Sequence, residues 1–467
     1  MEALAPIIGV TMVAYIALML GIGALASKRI DGAEDFVVAG RRLTWPLATA
    51  TLLATWFGAG TLMAAADEVR AIGLQGAALD PLGAGLCLLL FGIFFARPLW
   101  EAKLLTLPEL FGRRFGDGAR RVAAALMVPP YLGWVAAQFM ALAGIVTLFF
   151  DVPLPVVLCG IAVVSVVYTA LGGMWAVTLT DAVQLVIVVA GLAVLFVDVL
   201  GQVGGFGTLW DTLPTGHQVA IPVSELPELV GWIGVVAAGA LGNIPSQDVS
   251  QRVFSAKSAT VARAACFTAG GAYLVLGLVP VVLGLAGHVL LGEGEGATVP
   301  ELAALHLHPA VAVLFVVTLM SVILSTIDGA LLAPATVLVH DLAPARFAEP
   351  ARALVAYRVG IALVGTVSLA LALAGESAYA LLESSYELGM VSLMAPLTYA
   401  VYARTASAPA ALATMGVGTA LWAGHYVAGV EDFFGVAGVP LGLTAMALSY
   451  LAWPVVVRLT ANPGPAS

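Results

Sequence analysis

Thirteen apolar runs divide the chain, at roughly 6–27, 44–65, 78–100, 122–149, 154–172, 180–201, 228–246, 262–288, 309–341, 351–373, 377–402, 408–428 and 434–457. Most are close to the ~20 residues that a helix needs to cross a bilayer. The polar intervals between them are short and rich in Gly, Pro and charged residues. The pattern predicts an all-α membrane protein of about thirteen transmembrane helices.

Composition sharpens this reading. Of 467 residues 61% are hydrophobic and 10% charged, with mean hydropathy +1.03, against about 25% charged in an ordinary soluble domain. The first run opens on Met1-Glu2 and is followed by Lys28 and Arg29. That polarity is wrong for a cleaved leader, so the segment is read as a retained helix. Cys87, Cys159 and Cys266 lie in apolar runs without pairing or metal-ligand spacing. No basic cluster on a soluble surface exists to receive a nucleic acid, and no obligatory protein partner is predicted.

The basic residues orient the chain. With the N-terminus outside, the inner loops collect 18 of the 19 Lys and Arg residues, and only Arg70 falls outside. The C-terminus is then cytoplasmic. The absence of an Asn-x-Ser/Thr sequon and the short tail point to the cytoplasmic membrane of a bacterium.

Polar groups at mid-depth give the candidate chemistry, because such residues are expensive in lipid and mark pathways. Two runs are interrupted. One reads Ala54-Thr-Trp-Phe-Gly58-Ala-Gly60, the other Gly242-Asn243-Ile-Pro245-Ser246-Gln247. They lie five runs apart, as the first helices of two inverted halves would. Interrupted helices offer unwound carbonyls to ions and solutes. Helix packing is the competing use of the glycines. Run nine carries Ser321, Ser325, Thr326 and Asp328. Its adjacent hydroxyls either help to ligate a hard cation or bond back to the preceding turn. Asp80 stands among apolar neighbours, and no Lys or Arg is expected in the middle of a run. It is therefore either the anchor of a cationic solute near Trp56 and Trp134, or a solvated helix start. Asn243, Gln247 and Gln138 add amide groups, and Glu383 and Glu387 lie one turn apart in run eleven. No His-Glu-x-x-His or Gly-x-Ser-x-Gly motif occurs, so an enzyme is not expected.

Several stretches in this order resemble the sodium:solute symporter family. They are Asp35-Phe-Val-Val-Ala-Gly-Arg41-Arg42, Ala54 to Gly60, Tyr168 to Gln184 with Gly173 and Asp181, Gln251-Arg252, and Leu324-Ser325-Thr326-Ile-Asp328. The resemblance implies a leucine-transporter-like 5+5 inverted repeat with one extra helix before the core and two after it. It implies residues 1–43 as the extra helix and loop, 44–201 and 228–403 as the two repeats, 202–227 as an outer loop, and 404–467 as the last two helices and tail. It further implies Na+ as coupling ion, without other cofactor, held by carbonyls of Ala54, Phe57 and Val322 and hydroxyls of Ser325 and Thr326. Asp181 matches an acid near the ion's inner exit, or else is a helix N-cap. Within the family the chain looks closest to the choline-transporting branch, although Ser246 and Ala84 replace two aromatics expected there. The expected function is sodium-driven import of a small cationic or zwitterionic solute bound by Trp56, Asp80, Trp134, Gln138, Asn243 and Gln247. Transport of a sugar, carboxylate or amino acid, or a transporter-like membrane sensor, are the alternatives.

Overall fold

The computed structural model describes the backbone of all residues except 1–4, 293–296, 307–308, 348, 376–377, 431, 436–438 and 461–467. Helices dominate: α1 (Ala5–Ser27), α2 (Trp45–Trp56), α3 (Ala65–Ile72), α4 (Ala84–Leu90), α5 (Leu107–Phe115), α6 (Asp117–Phe149), α7 (Leu154–Val203), α8 (Leu226–Gly242), α9 (Gln247–Ser255), α10 (Ala259–Leu291), α11 (Pro309–Val337), α12 (Pro350–Ala374), α13 (Ala378–Tyr402), α14 (Ala408–Ala428) and α15 (Leu441–Thr460). Among the described residues there is no strand, only two isolated bridges. Among the described residues eight helices are long and apolar enough to cross a membrane, nine when α8 and α9, bent by 42° across Asn243–Ser246, count as one. The chain is a multi-pass membrane protein.

Helices follow from the sequence because only internally bonded backbone survives in lipid. Proline stands at the first turns of α2, α5, α7, α8 and α14, where no amide hydrogen is needed. α7 and α11 form the centre of the bundle and pack against each other, with α1 laid along α7. The outward faces carry the exposed apolar side chains, such as Val10, Val186, Val275 and Val359, as expected where lipid replaces water.

The runs expected at 154–172 and 180–201 are joined in α7 rather than separated by a loop. The break is one residue, Gly173, at φ 50° and ψ −142°. A side chain there would have the wrong backbone handedness and would strike the carbonyl oxygen of Phe36. A single glycine therefore turns the helix, so no polar loop marks the boundary in the sequence.

At the Arg-rich end of the bundle, α5 and the start of α6 are tied down by several polar contacts. Arg120 pairs with Asp341 at 2.6 Å and donates to the His340 carbonyl at 2.7 Å. Burial would raise the Glu109 carboxyl, but His340, the Leu105 amide and Arg113 outweigh it and hold Glu109 down at about 2. Arg70, the one basic residue expected on the opposite face, is buried. It pairs with Glu301 at 3.1 Å and donates to the Gly292 carbonyl. It therefore serves as a clamp, which explains its departure from the charge bias.

Candidate functional site

α2 stops at Trp56 because the next residues cannot continue its ladder. Phe57 leaves the helical region, at φ −76° and ψ 73°. The Gly58 amide, which a regular helix would send to Ala54, bonds Trp56 O at 2.8 Å instead. The Ala59 amide goes to Gln138 Oε1 of α6 at 3.2 Å. Ala54 O is thereby released from the helix.

α11 supplies what meets it. Ser325 Oγ lies 2.9 Å from Ala54 O and 2.9 Å from Val322 O, and Thr326 Oγ1 lies 3.1 Å from Val322 O. Four oxygens share two hydroxyl protons here, and all four residues are buried. Such a cluster is electron-rich and suits a hard cation, which takes oxygen ligands. Gly58 makes the approach feasible, since a Cβ on it would collide with the Thr326 side chain. Four of the five residues named for sodium, Ala54, Val322, Ser325 and Thr326, thus meet at one place, and Phe57 stands at the helix break beside them. Gly58→Val is expected to push α11 off α2 and abolish any sodium-dependent change in thermal stability, measured on purified protein.

Beside this cluster lies a buried polar network. Asp181 Oδ2 accepts from Thr51 Oγ1 at 2.5 Å and Thr55 Oγ1 at 3.5 Å. Arg252 of α9 donates to Thr55 Oγ1, to Thr51 O at 3.1 Å and to Asp248 O at 2.9 Å. Asp181 lies inside continuous α7, so the N-cap reading is wrong. Arg252 lies just past the seventh run, yet it is a buried cation, 1% exposed. Its place after the bend in the seventh run made it read as a loop residue. Asp328, on the same helix as the hydroxyls, is buried with neither carboxyl oxygen bonded to a described residue.

The aromatic residues converge on an unexpected carboxylate. Asp248 accepts from Trp56 Nε1 and from Tyr131 OH, and its amide donates back to Tyr131 OH at 3.0 Å. Trp134 packs 5.9 Å from the Tyr131 ring. Tyr131, Trp134, Asn243 and Ser246 line one cavity of about 30 Å³. Asp80 is 4% exposed, which removes the solvated alternative, but its bonding partners are Thr61 and Tyr273. Tyr273 OH also donates to Trp56 O at 3.1 Å, so Asp80 supports the unwound stretch from behind. The carboxylate at the Trp56 ring is Asp248.

Gln138 is spent on the Ala59 amide. Gln247 is spent on α5, accepting from the Leu107 amide at 2.7 Å and donating to Leu105 O at 3.0 Å. The side chain of Glu383 lies outside the described residues, and Glu387 accepts from Trp422 Nε1. Asp248, Tyr131 and Tyr273 were missed. The one available signal was an acid directly after Gln247, close to the second interruption.

A family model described as "Sodium:solute symporter family" matches residues 36–418. The chain belongs to that family. The high-affinity choline transporter 1 of Caenorhabditis elegans is 26% identical over 470 residues, 93% of this chain and 80% of the relative. The human high affinity choline transporter 1 is 28% identical over 290 residues, and the match spans half of its length and 60% of this chain. A sodium/glucose cotransporter of Vibrio parahaemolyticus is 26% identical over 316 residues, 63% of this chain and 58% of the relative. Among solved structures, the substrate-bound outward-open state of a Na+-coupled sialic acid symporter superposes with TM-score 0.81 at 19% identity, covering 97% of this chain and 98% of that one. The nucleobase-cation-symport-1 family transporter MHP1 follows at TM-score 0.62 and 16% identity, covering 92% and 96%. At these identities they establish the fold: a leucine-transporter-like helical bundle of the kind that transporters use.

Proposed function

We propose that the protein is a sodium-coupled symporter importing a small cationic or zwitterionic organic solute by alternating access. The observation that carries it is the oxygen cluster in which Ser325 Oγ joins released Ala54 O to Val322 O, at 2.9 Å each, and Thr326 Oγ1 reaches the same Val322 O at 3.1 Å. It lies at the break of a helix, where transporters of inverted-repeat design place their ions. Ala54, Phe57, Val322, Ser325 and Thr326 hold Na+ in this reading, and Asp181 stands on its exit route. The chain crosses the cytoplasmic membrane thirteen times with its N-terminus outside. Residues 44–201 and 228–403 are the two inverted repeats, which places α2–α3 and α8–α9 at matching positions.

Two features support a cationic solute. Trp56, Tyr131 and Trp134 offer aromatic faces, and a cation over such a face gains ~0.5–2 kcal/mol. The Asp248 carboxylate between two of them supplies the charge. Tyr131 replaces aromatic surface that Ser246 and Ala84 do not provide. The resemblance to choline transporters agrees with this reading, and the sugar-transporting relative defines the competing one.

The test is thermal unfolding of the detergent-purified protein against amines, betaines, sugars and carboxylates, in Na+ and again in K+. Ligands that bind only the native state raise the midpoint by mass action. The expected result is stabilisation by amines or betaines that Na+ strengthens. Asp248→Asn is expected to weaken that binding about tenfold, or about 1.4 kcal/mol, as for a lost charge-assisted contact. Stabilisation by sugars or carboxylates alone would overturn the substrate class and leave the ion untouched. A flat response to Na+ with every ligand would overturn the coupling ion.

A further inference from the structure

A second cavity, of about 600 Å³, lies between the first half of α8, the middle of α13, the end of α14 and the start of α15. It is separate from the one lined by Trp134, and the two share no lining residue. Its acids are Glu387 and Asp432, and no Lys or Arg lines it. His425 adds no charge in this arrangement: its Nε2 accepts the Phe434 amide at 2.9 Å, so the proton stands on Nδ1, 2.8 Å from Leu421 O. The cavity is therefore a negative space with no built-in counter-ion among the described residues.

Its walls combine this charge with rings. Trp422 and Tyr426, one turn apart on α14, are stacked at 5.3 Å and 18°. Trp422 Nε1 donates to Glu387 Oε2 at 3.2 Å, fixing the carboxylate beside the ring. The other oxygen, Oε1, receives no hydrogen bond from a described residue. A bare metal ion would need several converging oxygens, and this cavity offers two acids in a wide space lined by Val235, Ala238 and Leu443. A carboxylate at the edge of an indole that lines the same cavity, with aliphatic walls, suits an organic cation.

We propose that this cavity is a second ligand site, distinct from the transport pathway, that takes a small organic cation of the ammonium class on Glu387 and Trp422. The ligand would rest against α8 immediately ahead of the Asn243–Ser246 break, so it braces a helix of the broken pair against α14 and α15. This makes it a regulatory site, placed at the outer face in the orientation proposed above.

The test is isothermal titration of the full-length protein in detergent with benzyltrimethylammonium. The wild type is expected to show a binding component that weakens at least tenfold in Glu387→Gln and survives in Trp134→Ala. Gln keeps an acceptor for the Trp422 indole N–H, so packing is preserved while charge is lost. Val235→Trp fills the cavity without touching Glu387 and is expected to remove the same component. An isotherm unchanged in both Glu387→Gln and Val235→Trp, or abolished entirely by Trp134→Ala, would overturn the proposal.

Discussion

Alanine at both Ser325 and Thr326 is expected to erase the response of the protein to sodium. In the wild type, Na+ at 100 times its dissociation constant stabilises the native state by about 2.7 kcal/mol. The double variant should unfold at the same midpoint in Na+ as in K+. The direction follows from geometry. The two hydroxyls are half of the four-oxygen cluster, and among the described residues only the Ser325 side chain bonds Ala54 O. Both residues are buried, so each substitution also leaves a small cavity, and a modest drop in the sodium-free midpoint is expected. That drop is equal in the two salts, which separates lost packing from lost binding. Serine at position 326 should restore part of the sodium response, because the hydroxyl returns without the methyl group.

Arg252→Met is expected to have the largest effect on stability, roughly 3–5 kcal/mol, the usual result of removing one partner from a buried charge network. Arg252 donates to Thr51 O, Asp248 O and Thr55 Oγ1, and Thr55 in turn faces Asp181. Methionine keeps most of the length and none of the donors. Asp181 and Asp248 would remain buried without the cation that lies between their helices. Denaturant unfolding in detergent measures the loss, and the double variant Arg252→Met, Asp181→Asn should recover part of it. Equal stability of the single variant and the wild type would show that the network is not held together by charge.

These residues also show what was legible in the sequence. The helical class and the two interruptions were readable because lipid imposes a pattern on nearly every position. The hydroxyl pair on α11 was readable because two adjacent polar residues in an apolar run leave few explanations. Asp248 and Arg252 were not, because they follow the bend after Pro245, where a charged stretch reads as loop. In the structure that stretch folds back into the bundle as α9, buried throughout. The role of Asp80 was half legible. Its burial was foreseeable, but its partner Tyr273 lies 193 positions away on another apolar run, and nothing local signals that contact. Gln138 and Gln247 show the same limit from the other side. An amide in an apolar run announces a polar partner, and here the partners are backbone groups at a helix break and in the loop before α5. Gly173 marked a turn only through its own backbone, with no polar residues around it to announce one.

The most direct test of sodium-coupled symport is accumulation in proteoliposomes under an imposed inward Na+ gradient. Radiolabelled choline, glycine betaine and a simple primary amine would be tried in turn, with K+ replacing Na+ in the control. The predicted result is uptake of at least one of them above its external concentration, only with the Na+ gradient and not in the Ser325→Ala, Thr326→Ala protein. Concentrative uptake that persists unchanged in K+, or in the double variant, would contradict it.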